Sequence, residues 1–185
     1  MSWQQYELLL ATLGDDFPNL RLSYLEGLLE ITTTSPEYEE LKTLIGMLLE
    51  AYFQETCTRF HGMGSATFRK AMKLRGLEPD ECYCLGQKEE LPDIAIEIVL
   101  SSGLVDKLEI YRGLGVAEVW QWQDGQFCLY HLRPTGYEVI ESSELLPDLD
   151  LALLASYVRP DEPFDAVMAF RERLWTVVEG ESGVG

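Results

Sequence analysis

Seven residues in the middle of the chain, Ile94 to Leu100 (IAIEIVL), are apolar at every position except Glu97. A sheet with one wet face shows alternating polar and apolar side chains, whereas a strand covered on both faces reads as a nearly continuous apolar run. The run is too short for a stable helix and rich in β-branched residues, which marks it as a strand. The chain must therefore cover both sides of at least one strand. Glu97 is the exception that needs explaining, because a carboxylate buried among isoleucines is costly unless it is paired or holds a metal.

The residues before this strand suggest the partner. Glu81 to Leu85 (ECYCL) also reads as a strand, and the polar loop Gly86 to Glu90 joins it to the apolar run as an antiparallel hairpin. Facing residue numbers then sum to about 176–178, which sets Asp80 opposite residues 96–98 and Asp93 opposite Cys84. Directly paired Cβ atoms stand about 5 Å apart, so Asp80 and Glu97 can share one ion. Asp93 lies four residues from Glu97 on its own strand, about 13 Å away at the usual rise, and is assigned to shaping the start of that strand. Pro-Asp is also ordinary turn chemistry and recurs at Pro147 and Pro160.

The rest of the chain supplies the covering layers. Leu22 to Thr33 reads as an N-terminal β-hairpin turning at Glu26 and Gly27. Ser35 as N-cap, Pro36 at N1 and the stripe Tyr38, Leu41, Ile45, Leu48, Tyr52 predict a helix. A strand is expected around Ala66 to Met72, and a second helix on the stripe Leu104, Leu108, Tyr111, ending near Gly113 or Gly115. Val116 to Trp122 and Phe127 to Leu132 form a hairpin through Asp124 and Gly125, with Tyr137 to Ile140 as an edge strand. Helices follow over about Leu149 to Val158 and Pro163 to Val178. The order strand, helix, strand after residue 90 implies an α/β fold, a mixed β-sheet flanked by helices. One domain is expected over residues 1–178, with 179–185 a frayed tail.

Composition narrows the function. No apolar run approaches the roughly 20 residues that span a bilayer, and no leader pattern opens the chain, so a cytoplasmic protein away from membranes is expected. Cys57, Cys82, Cys84 and Cys128 form no CxxC pair, which argues for reduced, buried thiols rather than a zinc site. The net charge of -18 argues against a nonspecific nucleic-acid coat. Against that average, Arg59 to Arg75 holds five of the fourteen basic residues and no acid. That run is either a solvated face or a phosphate-contacting rim, with Arg69, Lys70 and Lys73 as its contacts.

Lys107 lies on the apolar side of the second predicted helix, three residues after Leu104. Lysines so placed commonly snorkel; one that starts a helix right after the Glu97 strand can instead return its ammonium to the carboxylates, stabilising charge or orienting a water.

The combination EPDECY, LPDIAIEIVLSSG and DKLEIYRGLGVAEVWQW resembles the restriction-endonuclease-like family much expanded in cyanobacteria, which belongs to the PD-(D/E)xK nuclease superfamily. The likeness runs from SPEYE to LPDLDLALLASYV. It implies a restriction-endonuclease-like core, Mg²⁺-dependent phosphodiester hydrolysis with Mn²⁺ as a substitute, and nucleic acid, DNA before RNA, as partner. It makes Asp80 the superfamily's Asp and Glu97 its (D/E). Val99 stands where the pattern has lysine, and Lys107 takes that place from the following helix. Tyr38 stands where relatives often carry His, leaving a hydrogen-bonding group without a neutral-pH base. Glu39 and Glu40 are either helpers of a metal or solvent-facing acids.

Two functions follow. One is a metal-dependent endonuclease with Asp80 and Glu97 as ligands and Lys107 in support, working as a homodimer. The alternative is a catalytically silent relative that binds nucleic acid or protein, favoured by the -18 charge and by Val99. A buried Glu97–Lys107 ion pair without a ligand is a third reading, but such pairs stabilise folds weakly.

Overall fold

The structure, a computed structural model, describes residues 1–181 except 15, 18, 65, 71, 73 and 102, and gives only the backbone of 177–181. The chain folds into two sheets. A four-stranded antiparallel sheet has the order β2 (Leu28–Thr33), β1 (Leu20–Leu25), β5 (Arg75–Leu77), β4 (Phe68–Lys70). A six-stranded mixed sheet has the order β10 (Gly136–Ile140), β9 (Gln126–Arg133), β8 (Glu118–Gln123), β7 (Ile94–Ile98), β6 (Glu81–Leu85), β3 (Phe60–Gly62). Its one parallel pairing among the described strands is β7 with β8, bridged by helix α3 (Lys107–Leu114). The expected α/β class, mixed sheet and N-terminal hairpin are present.

β7 occupies the centre that its composition demands. Ile94, Ile96 and Ile98 point into one core with Leu44, Ile45 and Leu48 of α2 (Pro36–Glu55), with Phe170 of α5 (Pro163–Glu181) and with Leu154 of α4 (Leu151–Ser156). Ala95 points into another with Cys82, Val119, Ile110, Tyr111 and Leu114. Each fully buried isoleucine contributes roughly 2 kcal/mol of transfer free energy. Because side chains alternate along a strand, Glu97 emerges on the Ala95 face, where α3 lies.

α3 is held between the sheets, packing against β1, β4 and β5. Two basic residues of the 59–75 run tie it down. Lys70 Nζ donates to the Leu114 carbonyl at 3.2 Å, and Arg75 Nε to the Glu109 carbonyl at 3.0 Å. Gly113 makes room for the latter, since a Cβ there would sit 1.9 Å from Arg75 Cδ. The helix ends at Gly115 in the left-handed conformation, as its sequence predicts.

Several expectations are corrected. The expected strand at Ala66 to Met72 is the shorter β4, paired with β5, which the sequence did not suggest. Leu104, placed on the stripe of α3, precedes the Asp106 N-cap and is 87% exposed. The first residues form a helix, α1 (Trp3–Leu13), whose Trp3 and Tyr6 pack on Tyr24 of β1. Cys82 and Cys84 are buried as expected, but Cys57 is exposed; all four thiols are free. α5 runs to Glu181, past the helix end expected near Val178, and 182–185 lie outside the described residues.

Candidate metal centre

The β6–β7 hairpin pairs Glu81 with Ile96, Cys82 with Ala95 and Tyr83 with Ile94, each summing to 177. Continuing that register brings Asp80 opposite Glu97. The Asp80 backbone N–H donates to the Ile96 carbonyl at 3.2 Å, while its side-chain Oδ2 accepts from the Ile98 N–H at 2.6 Å. Asp80 thus extends the ladder by one rung with its own carboxylate. The other oxygen, Oδ1, is buried and has no hydrogen-bond partner among the described residues.

Glu97, 1% exposed, has both oxygens engaged by one helix. Lys107 Nζ lies 2.5 Å from Oε2, and the Tyr111 hydroxyl donates to Oε1. The two donors are four residues apart on α3, so they share a face. Asp106, accepting from the Glu109 N–H at 3.3 Å, fixes where the helix starts and hence where that face points.

The charges do not balance. Burial, then the Glu97 charge, hold the Asp80 carboxyl well above the usual range, against the opposing pull of Lys107, the Ile98 N–H and Arg21. Burial alone would lower Lys107, but Glu97 and Asp80 raise it instead. Burial and Glu97 together push the Tyr111 phenol up. One ammonium faces two carboxylates, and one carboxylate oxygen has no partner among the described residues. A hard divalent cation suits such an all-oxygen pair, because Mg²⁺ is commonly held by one or two carboxylates plus water and substrate phosphates. Among the described residues no three His, Cys, Asp or Glu side chains converge on a metal, so that mode is the one available.

A cavity of about 350 Å³ opens beside Glu97 and Lys107 and is also lined by Arg21, Glu30, Tyr38, Val99 and Gln121. Sequence reading missed Arg21 and Glu30 because they come from the other sheet, and Gln121 because its place beside Glu97 depends on the parallel β7–β8 register. Tyr111 had a signal that went unused, since a phenol on a buried stripe needs a partner. Glu30 Oε1 accepts from the Leu104 N–H at 2.5 Å, and a Cβ on Gly103 would meet the Glu30 carboxylate at 2.8 Å. A larger depression, about 760 Å³, includes Arg75, Arg112 and Arg133, whose guanidinium groups are ion-paired with Glu26, Glu109 and Glu144 respectively; it contains neither Asp80 nor Glu97.

The other candidates separate by geometry. Asp93 Oδ2 accepts from the Leu85 N–H at 2.7 Å, and the Asp93 N–H donates to the Tyr83 carbonyl at 2.9 Å, so it braces the hairpin. Arg69 is exposed on β4, the Lys70 ammonium is turned to α3, and Lys73 lies outside the described residues. Glu39 pairs with Lys42 at 2.9 Å and Arg21 at 3.6 Å, while Glu40 is exposed. Glu118, also buried, is a structural contrast: it accepts from Trp120 Nε1, Ser143 Oγ and the N–H groups of Glu144 and Leu145 at 2.7–3.2 Å.

Residues 3–158 match the sequence profile of the Uma2 family, described as "Putative restriction endonuclease". A crystal structure from Anabaena variabilis ATCC 29413, described as "a putative nuclease belonging to DUF820", aligns with a TM-score of 0.43 at 13% identity, covering 79% of this chain and 90% of that chain. No curated protein matches the chain significantly. No helix among the described residues is long and apolar enough to cross a membrane.

Proposed function

The chain belongs to the Uma2 family, and from that premise we propose that it is a Mg²⁺-dependent endonuclease that hydrolyses phosphodiester bonds of DNA. The observation that carries the reading is the buried pair Asp80 and Glu97, with Asp80 Oδ1 lacking a partner among the described residues. These two carboxylates would hold the ion. When bound, Mg²⁺, or Mn²⁺ in its place, polarises the scissile phosphate and lowers the pKa of the attacking water.

The chain's own residues set the stage. The Ile98 N–H orients Asp80, and the Tyr111 hydroxyl orients Glu97. Lys107 pairs with Glu97 and carries positive charge toward the cavity where negative charge develops. The reading extends to a cytoplasmic homodimer with one site per strand, its mass checked by light scattering.

Plasmid and single-stranded DNA incubated with Mg²⁺ or Mn²⁺ test it directly. Cleavage is expected from the wild type and not from Asp80→Ala or Glu97→Ala. Equal residual cutting by all three is contamination. Calorimetric titration of the wild type with Mn²⁺ should give one site that Glu97→Ala lacks; no binding by the wild type sinks the enzymatic reading in favour of a silent binding module.

A further inference from the structure

A phosphodiester entering the cavity meets a forbidding surface. Glu30, Glu97 and Asp106 line it, and the chain as a whole carries a net charge of -18. The Lys107 ammonium is already engaged with Glu97, and position 99 offers only the methyl groups of Val99. A second cation is needed if a nucleic-acid strand is to approach, and the four-stranded sheet supplies one in Arg21 on β1.

The Arg21 side chain is 12% exposed and lines the cavity together with Glu97 and Lys107. It also lines an adjoining depression of about 590 Å³, which includes Lys42. Nη1 donates to the Leu20 carbonyl at 3.2 Å, and Nη2 stands 3.6 Å from Glu39. Glu39 is shared with Lys42 at 2.9 Å, so the guanidinium of Arg21 and the ammonium of Lys42 flank one carboxylate at the junction of the two hollows. A guanidinium there is pre-aimed, and its planar fork matches phosphate better than an ammonium does.

We infer that Arg21 is a phosphodiester-binding residue of this site, its guanidinium contacting a backbone phosphate of a nucleic-acid strand that runs from the cavity into the adjoining depression past the first two turns of α2. The identity of the ligand rests on the nuclease reading above. The contact itself is set by the position of Arg21 between the hollows, and the strand is held by phosphate rather than by base.

Binding is the decisive measurement because it does not depend on turnover. Fluorescence anisotropy of a labelled 12-nucleotide single strand, with Ca²⁺ as a non-hydrolytic occupant of the carboxylates, is compared across wild type, Arg21→Gln and Arg21→Lys, each shown folded by circular dichroism. Arg21→Gln is expected to weaken binding roughly ten- to a hundred-fold and to lower the salt slope by about one. Arg21→Lys should keep the slope and recover only part of the affinity. Wild-type-like binding by Arg21→Gln, or no binding by the wild type, overturns the inference. Cleavage is scored separately. A protein that binds through Arg21 but never cuts loses the nuclease reading and keeps this contact, whereas a cutting enzyme whose binding ignores Arg21→Gln loses the contact alone.

Discussion

Lys107 opens α3 at the end of a helix where a cation is least favoured, yet its ammonium rests 2.5 Å from Oε2 of Glu97. Its position is therefore set by the carboxylate and not by the helix. Lys107→Ala leaves Glu97 buried with one donor, at a cost of about 2 kcal/mol, below the range for fully buried pairs because the lysine is 29% exposed. Urea denaturation measures that loss, and cleavage should fall by two orders of magnitude or more.

Tyr111→Phe removes the other donor to Glu97 with little change in volume. Loss of one hydrogen bond to a buried charge costs about 1–3 kcal/mol. Calorimetry should show Mn²⁺ binding retained but several-fold weaker, because Glu97 is less well oriented. Unchanged affinity would make the phenol purely a packing element.

Asp80 links metal and proton. Its carboxyl sits well above the usual range through burial and then Glu97, so the folded state binds the proton more tightly than the unfolded chain. That contribution is complete below the unfolded value, about 3.9, and is lost as pH rises through the folded one. Asp80→Asn removes the dependence. At pH 8 without metal the variant should be more stable by about 1 kcal/mol, and excess Mg²⁺ should reverse the ranking by stabilising only the wild type. Thermal unfolding with and without the ion reads both.

Val99 lines the cavity two residues beyond Glu97, where the superfamily pattern has lysine. Val99→Lys in a Lys107→Ala background should recover part of the lost cleavage, since an ammonium on the strand replaces one on the helix. A double variant no better than Lys107→Ala in a plasmid assay would show that the two positions are not equivalent.

Glu118→Ala is the structural counterpart. It strands the donors at Trp120, Ser143, Glu144 and Leu145 and should cost about 3 kcal/mol or more. Metal affinity of the protein that remains folded should be unchanged by calorimetry.

These expectations come from a site whose halves were unequally legible. Asp80 and Glu97 meet within one hairpin, and a period of two with a short loop is enough to set the register that the structure shows. Lys107 follows directly on that strand, so its return was also local. Arg21 and Glu30 belong to another sheet, and nothing in a pattern of hydrophobicity says which sheet will face which. Helix α1 was missed for a related reason: Trp3 and Tyr6 are buried against Leu22 and Tyr24 of β1, and its apolar residues elsewhere remain half-exposed or exposed. The basic run left two readings open because composition counts charges without saying where they point. Lys70 and Arg75 turn inward to the carbonyls of α3.

The separation of Asp80 from its neighbours across the hairpin, eighteen residues to Ile98, also bears on the order of folding. A loop that short closes early, before contacts that span the chain. Asp80 and Glu97 are thus driven together while Arg21, a sheet away, has yet to dock. The nascent hairpin carries its electrostatic conflict alone, and a divalent cation or a lowered pH during refolding should shorten the time that it takes to close.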